Sequence, residues 1–262
     1  MNSTMKTPAV IPGAEAVFRI NDHAPGVLLL HGFSGSPGEM NYPGEMIIRN
    51  GYSVSIPRYP GHGTSIEEMA ETTPEQWYGA AREAYLELSR RAPRIIIAGL
   101  SMGGLFALRL AHEFKTEQVA LLSTPAGIND RRIYLLPLLG LFKKFMWEES
   151  SDRGVNDPHI RKNHICYWQG LAVRPAWKTY KFMKNTLKLL PEIESQVLIM
   201  QGDHDQVIPS DSAEQLKARL GSKDVEIFRA PRSNHAITVD FDRKEVAQKL
   251  INFLHIPAEN TF

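Results

Sequence analysis

Along this 262-residue chain, short apolar runs alternate with longer segments whose apolar residues recur at helical spacing. The runs are Val17–Ile20, Val27–Leu30, Tyr52–Ile56, Arg94–Ala98, Val119–Ser123, Val197–Gln201 and Val225–Arg229. Most are continuously apolar, as expected of strands covered on both faces, and the alternation with helices predicts an α/β fold with a largely parallel sheet. Helices are expected over Pro74–Ala92, from Met102 to Phe114, over Ser210–Leu220 and over Arg243–Leu254. The first carries the clearest start: in "TPEQ", Thr73 caps, Pro74 suits the first helical position and Gln76 completes a capping box. The third is expected to be capped by a serine and stopped by Gly221.

Between about Ala126 and Leu190 the alternation stops. No strand is predicted there, and an unstructured loop of that length is foreign to a compact domain, so the segment reads as a helical insertion over the sheet's C-terminal edge. The expected organisation is a core over 1–125, a cap over 126–190 and the rest of the core over 191–262. The apolar stretch "IYLLPLLGLFKKFMW" opens the cap, and Phe142, Phe145 and Met146 in it are candidates for an acyl-chain wall.

Composition narrows the class. Hydrophobic residues make up 43% and charged residues 23%, and 30 basic residues face 29 acidic ones, which speaks against a nucleic-acid or anionic-membrane binder. The single cysteine, Cys166, excludes an intrachain disulfide and a multi-cysteine metal site, and it reads as an inert buried thiol. No signal-like leader or membrane-length apolar run is visible, so a cytoplasmic protein without a transmembrane segment is expected. Nothing in the pattern sets an oligomeric state.

The chemistry concentrates at the C-terminal ends of the expected strands. "GLSMG" at 99–103 joins a strand to a helix, and glycines two residues either side of Ser101 remove the side chains that would collide in a sharp turn. Such a turn exposes the Ser101 hydroxyl and presents the Met102 N–H, unpartnered at the helix start, to a developing oxyanion. A serine needs a base, and His235, on a loop between the last strand and the last helix, sits at the right edge. The base needs an acid, and Asp203 and Asp205 both follow the strand Val197–Gln201. A second oxyanion donor is expected from the loop after Val27–Leu30, in "HGF", where the Phe33 N–H faces the same point; His31 there reads as a loop-fixing group.

Together, "HGFSG" at 31–35, "RYPGHG" at 58–63, "GLSMGG" at 99–104, "QGDHDQVIP" at 201–209 and "SNHAIT" at 233–238 resemble the α/β-hydrolase superfamily. Within it the chain looks like the small bacterial carboxylesterases and monoacylglycerol lipases, over about residues 25–255. The resemblance implies Ser101 as nucleophile, His235 as base and Asp205 as acid, since the family's acid stands three residues after a glycine, here Gly202. It also implies Phe33 and Met102 as oxyanion donors, a structural role for His62, and a small ester or monoglyceride as substrate, with no metal or organic cofactor. A feruloyl or aryl esterase, an acyltransferase and a C–C bond hydrolase use the same triad, and a ligand-binding receptor without turnover is the reading from a different class.

Overall fold

The computed structural model describes residues 9–147, 154–163 and 170–255. Cys166 and the chain beyond His255 lie outside the described residues. The strands are β1 (Val17–Arg19), β2 (Gly26–Leu30), β3 (Ser53–Ile56), β4 (Ile95–Leu100), β5 (Gln118–Leu122), β6 (Phe145–Trp147), β7 (Gly170–Ala172), β8 (Gln196–Gly202) and β9 (Val225–Ala230). The helices are α1 (Asn41–Arg49), α2 (Ile66–Ala70), α3 (Pro74–Ser89), α4 (Met102–Phe114), α5 (Leu136–Leu139), α6 (Pro158–Asn163), α7 (Val173–Thr186), α8 (Ser212–Arg219) and α9 (Arg243–His255).

Seven strands form one sheet in the order β1-β3-β2-β4-β5-β8-β9. Only β1 runs antiparallel to its neighbour, and every other pairing in that sheet is parallel. This is the α/β-hydrolase fold, and each of the seven strands expected from the sequence is present. β4 shows why its residues form a central strand. Ile95 and Ile97 pack on one face with α3, α4 and α7, while Ile96, Ala98 and Leu100 pack on the other with α1 and α9. Both faces are dry, so the strand has no polar side, and parallel pairing places all its neighbours' C-terminal ends at one edge.

α3 starts at the expected capping box, with Thr73 Oγ1 accepting from the Gln76 N–H and Gln76 Oε1 from the Thr73 N–H. α8 differs from expectation. It starts at Ser212 behind Asp211, and no side chain of the preceding residue caps it. Instead Gln201, at the end of β8, accepts the Ala213 N–H through Oε1, so a strand residue supplies what a serine cap was expected to supply.

The region 126–190 is also a correction. It is not purely helical: β6 and β7 form a two-stranded antiparallel sheet, Phe145 opposite Ala172 and Met146 opposite Leu171. Three-residue strands so far apart in sequence are too short to show a two-residue period, which hid them. Its other described elements are a 3-10 turn at Arg131–Leu135, α5, α6 and α7. α7 serves two layers, since Phe182 and Met183 join the main core while Val173 and Ala176 join Leu136 in a small cluster against Phe33. No described helix is long and apolar enough to cross a membrane.

Candidate active site

The turn between β4 and α4 leaves no room for side chains. A Cβ on Gly99 would stand 2.1 Å from the Gly103 carbonyl oxygen, and one on Gly103 would stand 2.2 Å from that of Leu30. With both positions bare, the chain reverses at Ser101, which takes φ 54° and ψ −115°, a backbone conformation costly for a residue with a side chain. The Ser101 N–H still donates to the Leu122 carbonyl at 2.8 Å, tying the turn to β5. The hydroxyl is thereby lifted above the sheet edge.

There the structure brings three sequence-predicted residues together. Ser101 Oγ lies 2.8 Å from His235 Nε2, and His235 Nδ1 lies 2.8 Å from Asp205 Oδ2. With Nδ1–H donated to the carboxylate, Nε2 is left to accept the serine proton. The other Asp205 oxygen, Oδ1, accepts the Val207 and Ile208 N–H groups at 2.9 and 3.1 Å, which fixes the carboxylate. The alternative that residue-level reading left open, Asp203, is exposed and stands 4.0 Å from Arg229.

Burial opposes charge on both partners, and their pairing outweighs it. For Asp205 the charge and hydrogen bond of His235, then the two loop N–H groups, hold the carboxyl below its ordinary value despite desolvation. For His235 desolvation pulls downward, yet the Asp205 charge and hydrogen bond, with a smaller contribution from Glu39, leave it above its ordinary value.

The His235 loop is held by a second carboxylate that sequence reading did not single out. Asp240, with no exposed surface, accepts four backbone N–H groups: those of Asn156 and Asn234 on Oδ2, and of Asp157 and Phe241 on Oδ1. It therefore joins residues 156–157, within the region 126–190, to the residue before His235. Its signal in the sequence was only its place five residues after the histidine.

The loop after β2 is equally constrained. The Gly32 carbonyl lies 3.0 Å from His31 Nδ1 and accepts the Gly35 N–H at 3.3 Å. In a planar trans peptide the Phe33 N–H points opposite to that carbonyl, away from both donors. His31 thus fixes the loop, as expected. His62 is buried, its Nδ1 3.2 Å from the Pro60 carbonyl and its ring edge-on to Trp77, so it too is structural.

Above Ser101 opens a cavity of about 650 Å3. Phe33, Ser101, Met102 and His235 stand on its floor, and Leu105, Ile133, Leu136, Leu171, Ala176 and Met183 supply much of its apolar wall. Of the three cap residues proposed for that wall, only Met146 lines it. Phe142 is 81% exposed and points to solvent, and Phe145 is half-buried with its ring near the Lys144 ammonium. Phe142 follows α5 in a turn and the strand direction at β6 turns Met146, not its neighbour, inward. The missed wall residues on α7 had a readable signal, because Ala176, Thr179, Tyr180 and Met183 share one helical face. Among the described residues no group of three His, Cys, Asp or Glu side chains is placed to hold a metal ion.

A family model described as "serine aminopeptidase, S33" matches residues 22–242. The chain belongs to this family. A thermostable monoacylglycerol lipase from Bacillus sp. (strain H-257) is 30% identical to this S33-family member over 244 residues, 93% of this chain and 95% of that protein. A carboxylesterase from Bacillus subtilis (strain 168) is 26% identical over 229 residues, 87% of this chain and 91% of that one. A solved structure of the metagenome-derived lipolytic enzymes LipS and LipT superposes with a TM-score of 0.85 at 27% identity, covering 94% of this chain and 99% of that chain. This S33-family chain is a serine hydrolase by fold and by relatives.

Removing the Asp240 carboxylate leaves several buried N–H groups without acceptors. Asp240→Ala is expected to cost about 3 kcal/mol or more of folding stability, read as a lower urea midpoint. An unchanged midpoint would show that the loop does not depend on it.

Proposed function

We propose that the protein hydrolyses carboxylic esters of apolar acyl chains, monoacylglycerols and medium-chain esters among them, with Ser101 as nucleophile, His235 as general base and Asp205 as its orienting acid. The observation that carries this reading is the unbroken hydrogen-bonded chain Ser101–His235–Asp205 on the floor of a mainly apolar cavity. The relatives named monoacylglycerol lipase and carboxylesterase, which span nearly the whole chain, support the same substrate class.

Ser101 Oγ attacks the ester carbonyl as His235 Nε2 takes its proton, and Asp205 stabilises the imidazolium that forms. The carbonyl oxygen, now negative, is held by the N–H of Phe33 and by that of Met102 at the free N-terminus of α4. His235 then protonates the departing alcohol, and water repeats the sequence on the acyl-enzyme. The acyl chain lies along the wall built by Leu105, Leu136, Leu171 and Met183. Burial of each methylene there contributes roughly 0.8 kcal/mol, so chain length is read mainly by how far the cavity extends.

The family's description names an aminopeptidase activity, which needs a carboxylate free to hold the substrate's ammonium group. Among the described residues lining the cavity the carboxylate is Asp130, and both its oxygens are taken by the Arg132 guanidinium, at 3.0 and 2.9 Å from Nε. A neutral ester suits that site better than a charged peptide N-terminus.

Ser101→Ala is expected to lower p-nitrophenyl butyrate turnover by on the order of 10^4-fold or more while leaving the fold intact by circular dichroism; near-normal turnover would refute the assignment. Because His235 works as a base only when neutral, and is held above its ordinary value, kcat/KM is expected to fall as pH drops through a point above the usual imidazole range. A profile flat down to pH 5 would contradict it. In a p-nitrophenyl ester series, Met183→Trp should shift the preferred acyl length shorter, and Phe142→Ala should not move it. The reverse result would return the wall to Phe142.

A further inference from the structure

Glu39 stands beside the reacting centre with no part in the mechanism above. It is 3% exposed, a burial that is costly for a carboxylate unless the charge is hydrogen-bonded. The 3-10 turn Pro37–Met40 carries it inward, capped by Ser36, whose Oγ accepts the Gly38 N–H. Its Oε2 accepts the Gly32 N–H at 2.9 Å. The point where a Cβ on Gly32 would stand is 3.4 Å from that oxygen and 3.5 Å from the Cβ of Ser101, so carboxylate and nucleophile flank one backbone atom. At Gly35 a Cβ would lie 2.2 Å from the same oxygen. The turn over 32–35 is thus wrapped around the carboxylate, and its glycine makes the fit.

We propose that Glu39 is a positioning residue for this site: its carboxylate anchors the Gly32 N–H, and with it the peptide bearing the Phe33 N–H, and stands as a second negative charge, after Asp205, behind the His235 imidazolium. The inference rests on the roles given to Ser101 and His235 above.

The groups around the pair fix the sign of its effect. His235 faces Asp205 from the loop after β8, Glu39 from the 3-10 turn and the neutral Ser101 hydroxyl from the turn after β4. Glu39 faces His235 and, from the loop after β3, Tyr59, whose hydroxyl is kept protonated by burial and by the Glu39 charge. Behind Tyr59 lie His31, stacked on it at 4.0 Å, and His62; burial pushes His31 well down and His62 to about 4, so both stay neutral near pH 7. Arg58 is the fixed cation of that cluster, donating to the His62 carbonyl. Burial pushes Glu39 up to about 7, opposed by the Gly32 N–H and by His235. Glu39 therefore carries its charge above neutrality, where the base is active, and loses both its charge and part of its grip on Gly32 as pH falls.

Glu39→Gln keeps the shape and an acceptor for Gly32 while deleting the charge. In it His235, followed by its imidazole proton resonance, is expected to titrate at lower pH than in the wild type, and the acid limb of kcat/KM should move the same way. At pH 8.5 kcat should fall several-fold with KM unchanged, because the charge matters only once the imidazolium forms. Glu39→Ala, which also releases the loop, should lose more. The reciprocal measurement needs no Glu39 variant: in His235→Ala, the Glu39 carboxyl followed by carbon-13 resonance should titrate at higher pH than in the wild type. Superimposable His235 titrations and equal kcat in wild type and Glu39→Gln, or an unmoved Glu39 in His235→Ala, would overturn the inference. Those results in a wild type whose turnover is lost in Ser101→Ala leave the proposed function standing; a wild type that hydrolyses no ester overturns that function, while the two titrations still decide the coupling.

Discussion

Everything chemical in this molecule depends on one steric constraint, the contact of backbone with backbone where β4 turns into α4. Gly99 touches Gly103, and Gly103 touches the end of β2, at distances that admit no Cβ. The closeness is what forces Ser101 to φ 54°, a strain of about 1–2 kcal/mol that an isolated peptide would relieve. It is not relieved because both partners of the turn are immobile. β4 is buried on both faces, and nearly every residue of α4 through Ala111 is buried as well. Displacing the helix to relax the serine would open the core along its whole length, which costs far more than the strain. The rigid core thus holds a small unfavourable conformation, and that conformation exposes the hydroxyl.

The loops that meet Ser101 solve a different problem, since they have no sheet pairing to hold them. Each is fixed by a buried or half-buried carboxylate that collects N–H groups: Asp205 for its own loop, Asp240 for the His235 loop and Glu39 for the loop after β2. Three acids near one base raise the question of charge. Asp240 uses its charge on four N–H donors, and Asp205 on two donors and the imidazole, so both are compensated where they stand. Glu39 accepts the Gly32 N–H, and burial leaves its charge the more readily lost of the two that act on His235.

How much of this could be read in the sequence follows from where each signal resides. The strands were legible because two-sided burial writes itself as uninterrupted Ile, Leu and Val, as in Ile95–Ile97. Ser101 and His235 were legible because a tight turn demands glycine and because few residue types can act as a base. Asp205 and Asp203 could not be separated on composition, since both are acids two residues apart after one strand; only the direction of the loop distinguishes them, and the family pattern carried that information. Phe142 and Met146 were indistinguishable for the same reason. An apolar side chain says that something should cover it, without saying what, and Phe142 faces solvent beside Leu138 and Leu141, both more than half exposed.

Glu39 was the least legible, and the reason is instructive. A glutamate in "SPGEM" reads as a solvated charge, because acids are rarely buried without a partner. Its partner is a backbone N–H seven residues earlier, which carries no side-chain signature at all. The trace it left is negative: Gly35, which looks like freedom for the oxyanion loop, is also the space its carboxylate occupies. At Gly35 the place of the missing side chain is taken by a neighbour's charged group, a trace that the glutamate's own surroundings in the sequence do not carry. The same reasoning applies at Gly104, where Thr124 fills the vacancy, and it distinguishes glycines that permit a turn from glycines that make room for another residue.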